Sequence, residues 1–313
     1  MAEARRARTK IKIFMRLRPT PVVSPYLSID PIENSVEYDI PVTKAREYVN
    51  NARARHSYRF DGVFSGEATQ DEVFEHVARD AVLTALDGVN STVFAYGQTG
   101  SGKTFTITGG VERYADRGLI PRALSLLFEE FQKRTHVQYT AHISFLEIYQ
   151  EKGYDLLAAD HGKKSRKDLK KVCISEDAHG LLHLQNLSMH RVAREEDALN
   201  LLFLGDTHRA IAATSMNLNS SRSHCIFTIN LEVRQRALRE RRVCVCVCVC
   251  VCVGTRVSSL GPRSPSSSLT LHSHSPLLRP GSRVATRFAA PRSTWSIWLG
   301  VSVCRNQERA AQH

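Results

Sequence analysis

Residues Gly97-Gln98-Thr99-Gly100-Ser101-Gly102-Lys103-Thr104 carry the spacing G-x-x-x-x-G-K-[ST]. Glycines at these positions let the backbone curl so that successive N–H groups face one point, an arrangement that binds phosphate oxygens. In this pattern the lysine, Lys103, reaches the outer phosphates and the hydroxyl of Thr104 is offered to Mg²⁺. The short apolar stretch 92–96 before the loop predicts a strand. The residues after it predict a helix whose first turn presents its N–H groups to the same anion. A glycine-rich strand-to-helix turn with no ligand is the plain alternative.

A second constellation lies further on: Asn217-Leu218-Asn219-Ser220-Ser221-Arg222-Ser223-His224. Hydroxyls and an amide in one polar loop suit contacts to Mg²⁺, to a terminal phosphate and to an attacking water. Taken alone it is an ordinary polar loop, since Ser and Asn favour turns. Beside a phosphate loop it becomes a candidate sensor of the outermost phosphate.

Both segments need a scaffold, and the chain alternates accordingly. Residues 11–16 predict a buried strand closed by Arg16-Leu17-Arg18-Pro19, because proline ends a ladder. Residues 58–64 alternate with period two. Residues 70–86 place Val73, Val77, Ala81 and Leu83 at helical spacing, with Thr69 as N-cap and Glu72 completing a capping box. A helix over 119–133 with Pro121 in its first turn, a strand over 139–149, a hairpin over 172–187, a helix over 195–213 and a strand over 223–233 follow. Strands alternating with helices argue an α/β three-layer domain around a central sheet.

Composition changes near residue 235. The chain is 313 residues with a formal net charge of +12. Residues 1–235 hold 31 Lys+Arg against 29 Asp+Glu, whereas 236–313 hold 12 Arg, no Lys and 2 acids. The body is nearly neutral, which argues against a nucleic-acid binder. No run of 18 apolar residues predicts a membrane span. The basic, Ala-rich residues 1–10 have no apolar core behind them and are not a secretory signal, so a cytoplasmic location is expected. Of eight cysteines, Cys173 and Cys225 lie in the body, and five alternate with valine over 243–253. That alternation has no zinc-ligand spacing. It has the marks of an aggregation-prone strand. A GTGTGT nucleotide repeat also encodes Val-Cys, and the Ser/Pro/Arg-rich continuation suits translated non-coding sequence. The division expected is an N-terminal extension (1–9), a partial domain (10–235) and a low-complexity, disordered, non-native tail (236–313).

The stretch Phe94-Ala95-Tyr96 with residues 97–104 resembles the kinesin motor signature, and 217–224 resembles that family's first switch, N-x-x-S-S-R-S-H. Arg16-Leu17-Arg18-Pro19 looks like its R-x-R-P motif. Residues 58–64 with Gln70, Gly118-Leu119-Ile120-Pro121-Arg122, and Phe145-Leu146-Glu147-Ile148-Tyr149 look like further family blocks in family order. Residues 112–124, 199–212 and 222–231 look most like the ninth subfamily, associated with cilia and flagella. The resemblance implies a kinesin-type P-loop NTPase fold with a mixed sheet, ATP and Mg²⁺ as cofactors and microtubules as partner. It implies a place on the cytoskeleton, with the axoneme as the narrower expectation, while the charge balance and the lack of long apolar runs lead us to expect no nucleic acid and no membrane as partner. By position, Arg16 and Pro19 flank the adenine and 97–104 hold the phosphates. Ser221 joins Thr104 near Mg²⁺, Ser220 and Asn217 face the γ-phosphate or water, and Arg222 pairs with a second-switch glutamate.

Departures accompany the matches. The family continues with a second switch, D-x-A-G-S-E, which this sequence lacks. The track-binding helix, the neck linker and any oligomerisation region are likewise not found. Phe105 replaces a common histidine, and Gln150 a common asparagine. Two functions remain open: the N-terminal fragment of a microtubule motor ATPase, and a nucleotide-binding fragment without turnover or track binding. The basic residues Lys163, Lys164, Arg166, Lys167, Lys170 and Lys171 suit either an acidic microtubule surface or plain solvation.

Overall fold

The computed structural model describes residues 11–39, 55–110, 112–161, 164, 168–177, 182–214, 223–235, 243–253 and 296–304. Its strands run β1 (Lys12–Leu17), β2 (Leu27–Asp30), β3 (Ser35–Asp39), β4 (Arg55–Arg59), β5 (Gly62–Phe64), β6 (Asn90–Gly97), β7 (Val137–Tyr149), β8 (Lys152–Asp155), β9 (Lys171–Glu176), β10 (Leu182–Gln185), β11 (His190–Val192), β12 (Ser223–Gln235), β13 (Val243–Val253) and β14 (Ser296–Cys304). The described helices are α1 (Gln70–Val77), α2 (Arg79–Leu86), α3 (Lys103–Ile107), α4 (Leu119–Lys133) and α5 (Glu195–Thr214), with a 3₁₀ turn at Tyr114–Asp116.

The main sheet is mixed and ordered β10-β9-β8-β7-β12-β13-β6-β14-β1-β5, with β11 added beside β7. Its longest pairing is β7 against β12, antiparallel from Ser223↔Tyr149 to Gln235↔Val137. β12 alternates buried and half-buried residues from Ser223 to Glu232, the period-two signature of a strand with one covered face. Strands β2, β3 and β4 form a separate small sheet.

Each of the five described helices contributes buried apolar residues to one cluster. From the sheet that cluster takes Val93 and Ala95 of β6, Ile143 and Phe145 of β7, and Cys225, Phe227, Ile229 and Leu231 of β12. Directly paired residues share a face, so this register places the described helices on one face. On the other face Tyr96 is 53% exposed, and Phe94 and Ile226 are half-buried.

Local expectations hold with adjustments. Thr69 caps α1, accepting from the Glu72 N–H at 3.1 Å. The single helix expected over 70–86 is two, breaking at Ala78, which caps one helix and starts the next. The strand expected over 58–64 is divided between two sheets, because Asp61 turns the chain and its carboxylate accepts the Ile13 N–H at 2.8 Å.

Within the tail expected over 236–313, two stretches are strands. β13 lies antiparallel to β12 and parallel to β6. β14 lies antiparallel to both β6 and β1. The physical reason is the alternation itself: a β-branched residue at every second position suits a strand, and the slots beside β6 leave backbone groups to be paired. The rest of 236–313 lies outside the described residues.

Candidate nucleotide site

β6 ends at Gly97, and residues 98–102 form a loop before α3 opens at Lys103. Gly100 and Gly102 have φ of 80° and 94°. Both lie in the left-handed region, which side chains resist, so glycine is required there. The Ser101 N–H donates to the Gln98 carbonyl at 3.2 Å, and the Thr106 N–H to the Gly102 carbonyl at 2.9 Å, which starts the helix. α3 is five residues long, so anion binding rests on the loop and its lysine more than on a helix axis.

Lys103 is 5% exposed. Its ammonium donates to the carbonyls of Gly97 at 2.7 Å and Gln98 at 2.6 Å, which spans the loop's entrance and directs the charge along it. The Ser101 hydroxyl is fully buried and has no hydrogen-bond partner. A buried hydroxyl left unpaired costs free energy, on the order of 1–3 kcal/mol. It marks a place where a ligand oxygen would be welcome. Gln98, Thr99, Gly100 and Thr104 are exposed and Gly97 is buried.

Arg16 comes to this site from β1. It is 6% exposed and donates to Gln70 Oε1 at 2.7 Å, Thr106 Oγ1 at 2.9 Å and the Ala68 carbonyl at 3.2 Å. Gln70 in turn donates to the carbonyls of Phe105 at 2.6 Å and Asp116 at 3.1 Å. Arg16 also lies 5.8 Å from the centre of the Phe105 ring. Burial pulls its pKa down, and the Glu72 carboxylate partly opposes that. Arg16 is thus a strut fixing α3 to α1 and β1. Pro19 is exposed.

Sequence reading missed Arg18, whose guanidinium donates to the Gly100 carbonyl at the loop's tip. The signal was present, since Arg18 is the second arginine of Arg16-Leu17-Arg18-Pro19. It also missed a polar group on the covered face. Arg209 of α5 lies 3.5 Å from Asp206 and donates to the Cys225 sulfur at 3.5 Å. Burial pushes the Asp206 carboxyl up, while Arg209 and a hydrogen bond with Thr108 pull it down. Asp206 and Arg209 stand three apart on a helix, which is a legible pairing. The four residues of the second constellation singled out for chemistry, Asn217, Ser220, Ser221 and Arg222, lie outside the described residues. β12 begins immediately after them at Ser223. Of the basic segment, Lys163, Arg166 and Lys167 lie outside the described residues, and Lys164 pairs with Asp160 at 2.7 Å.

The phosphate loop and its strand, helix and arginine neighbours thus stand together as one site. The family profile "Kinesin motor domain" matches residues 16–252. The chain belongs to the kinesin motor-domain family. It is 43% identical over 233 residues to kinesin-like protein KIF9 of Mus musculus, covering 74% of this chain and 29% of that protein. It is 39% identical over 224 residues to kinesin-like protein KLP1 of Chlamydomonas reinhardtii, covering 72% and 28%. The chain therefore spans less than a third of the length of these relatives. Among solved structures it is similar to one described as a fast kinesin, with a TM-score of 0.67 and 26% identity, covering 80% of this chain and 68% of that one.

Kinesin motor domains bind nucleotide with Mg²⁺, and the two parts of that ligand fit this site unequally. The nucleotide phosphates fit: the loop is curled, Lys103 is placed and the Ser101 hydroxyl is buried without a partner. For the metal, Thr104 is exposed at the start of α3, but the strand beside the loop brings no carboxylate. β13 is made of valine and cysteine alone, and the sequence has no Asp or Glu from 241 to 307.

Proposed function

We propose that this chain is the nucleotide-holding part of a kinesin-like microtubule motor ATPase, with residues 97–104 as the phosphate cradle. The observation that carries this reading is the loop itself, with Lys103 bridging the Gly97 and Gln98 carbonyls and the Ser101 hydroxyl buried without a partner. Bound ATP supplies the transferable γ-phosphoryl group. The chain's own contribution is to hold and orient the phosphates through loop N–H groups, Lys103 and Ser101. Arg16 fixes α3 beneath them, and Arg18 braces the loop tip. Asn217, Ser220, Ser221 and Arg222 are assigned to sensing the outer phosphate and positioning water, and Thr104 and Ser221 to the metal side. Arg16 and Pro19 are assigned to the adenine side. Microtubules are the proposed track, and the axonemal cytoskeleton the proposed location, on the likeness to the named relatives.

The alternative, a nucleotide-binding fragment without turnover or track binding, is favoured by one feature. The sequence contains no D-x-A-G-S-E motif after residue 223. Both readings require nucleotide binding. Titration of the chain with fluorescent ADP is expected to show saturable binding that Lys103→Ala weakens by tenfold or more, the scale of a lost charge-assisted contact of about 1.5–3 kcal/mol. Equal binding by both proteins contradicts the assignment of the loop.

A further inference from the structure

In phosphate-loop NTPases the metal is held from two sides, by the loop Ser/Thr hydroxyl and by an aspartate on a second strand. Mg²⁺ demands near-ideal octahedral oxygen geometry and commonly uses one or two carboxylates beside substrate phosphates. In this chain β13 runs parallel to β6, with Val251↔Ala95, Cys252↔Tyr96 and Val253↔Gly97. Its C-terminal end therefore arrives beside the first residue of the loop, where such a carboxylate would stand. β6 has β14 on its other side, in the register Trp298↔Tyr96 to Cys304↔Asn90. β14, Ser-Ile-Trp-Leu-Gly-Val-Ser-Val-Cys, is equally free of acids. Thiols do not replace the missing oxygen ligand, because a soft sulfur donor selects zinc or copper over Mg²⁺.

Asp206, on the helix-covered side, lies 3.5 Å from Arg209 and is hydrogen-bonded with Thr108, with its Oδ1 buried and without a hydrogen-bond partner. Arg209 is held in turn between Asp206, Cys225 and the charge of Glu147. Positive charge, in contrast, is close to the phosphate path: Lys103 at the loop's base and Arg18 at its tip, on the Gly100 carbonyl.

We propose that this chain takes its nucleotide as a metal-free phosphate ester, with Lys103 and Arg18 supplying the charge that Mg²⁺ would otherwise supply. The proposal rests on the nucleotide-binding reading above and narrows its ligand. A divalent cation arriving with the nucleotide meets the hydroxyls assigned above to the metal side, Thr104 and Ser221, but no carboxylate on β13 or β14.

The test is equilibrium titration of the full chain with fluorescent ADP, once in excess Mg²⁺ and once in excess EDTA. The expected result is two dissociation constants within about threefold of each other, below the 10- to 100-fold effect that one metal-supporting partner typically carries. Binding in Mg²⁺ that weakens tenfold or more in EDTA overturns this proposal and leaves nucleotide binding intact. No binding in either buffer overturns the nucleotide reading, and this proposal with it.

Discussion

Cys225 lies on the inner face of β12 with its sulfur against Arg209. Burial pushes its thiol up to about 11, and Arg209 only partly opposes that. A protonated, buried thiol is a poor nucleophile. Alkylation of the native chain at pH 8, followed by peptide mass spectrometry, is expected to modify the exposed Cys173 and spare Cys225. Equal labelling of both would contradict the packing of β12. The same shift has a sign in stability. The folded thiol holds its proton where an unfolded one, near 9, gives it up. Cys225 therefore contributes stability that is fully present below pH 9 and lost as pH rises toward 11. At this scale the phosphate loop was legible, because G-x-x-x-x-G-K-[ST] fixes backbone and charge together. The role of Arg16 as a strut was not, since nothing local says that a strand arginine is buried against Gln70 and Thr106.

Elements are held by close approaches that sequence shows only as glycines. Gly205, in the middle of α5, sits where an added Cβ would lie 2.3 Å from Cδ1 of Phe145. That ring packs edge-on against Phe227 at 5.3 Å, inside the main core, and has little room to yield. Two effects of Gly205→Ala oppose each other. Helix propensity favours alanine by about 0.5–1 kcal/mol. Overpacking costs about 1–3 kcal/mol. Overpacking wins, and Gly205→Ala is expected to lower the denaturation midpoint at unchanged slope. A raised midpoint would mean that α5 does not lie so close to β7. The helices over 119–133 and 195–213 and the strand over 139–149 were legible to within two residues, because their apolar periodicity is long. The break at Ala78 and the turn at Asp61 were not, because tertiary partners set them.

For the whole molecule, family membership was readable from a handful of ordered motifs, whereas strand order was not. β13 and β14 lie on either side of β6 although both come far later in the chain, Val247 pairing with Ser91 and Trp298 with Tyr96. Sheet position depends on which strands offer unpaired backbone groups, not on local pattern. What the architecture assembles is a glycine-rich loop and its helix braced by Arg16 of β1 and Gln70 of α1, with the described helices on one sheet face. What the sequence does not bring to it is a carboxylate on the strand beside the loop or a D-x-A-G-S-E motif.

The central proposal is that residues 97–104 hold nucleotide, while the sequence carries no D-x-A-G-S-E motif to act with the first switch. Steady-state ATP hydrolysis by the purified chain, with and without polymerised tubulin, tests it most directly. The account predicts no stimulation by microtubules. Stimulated turnover that scales with the amount of chain and disappears in Lys103→Ala would contradict it.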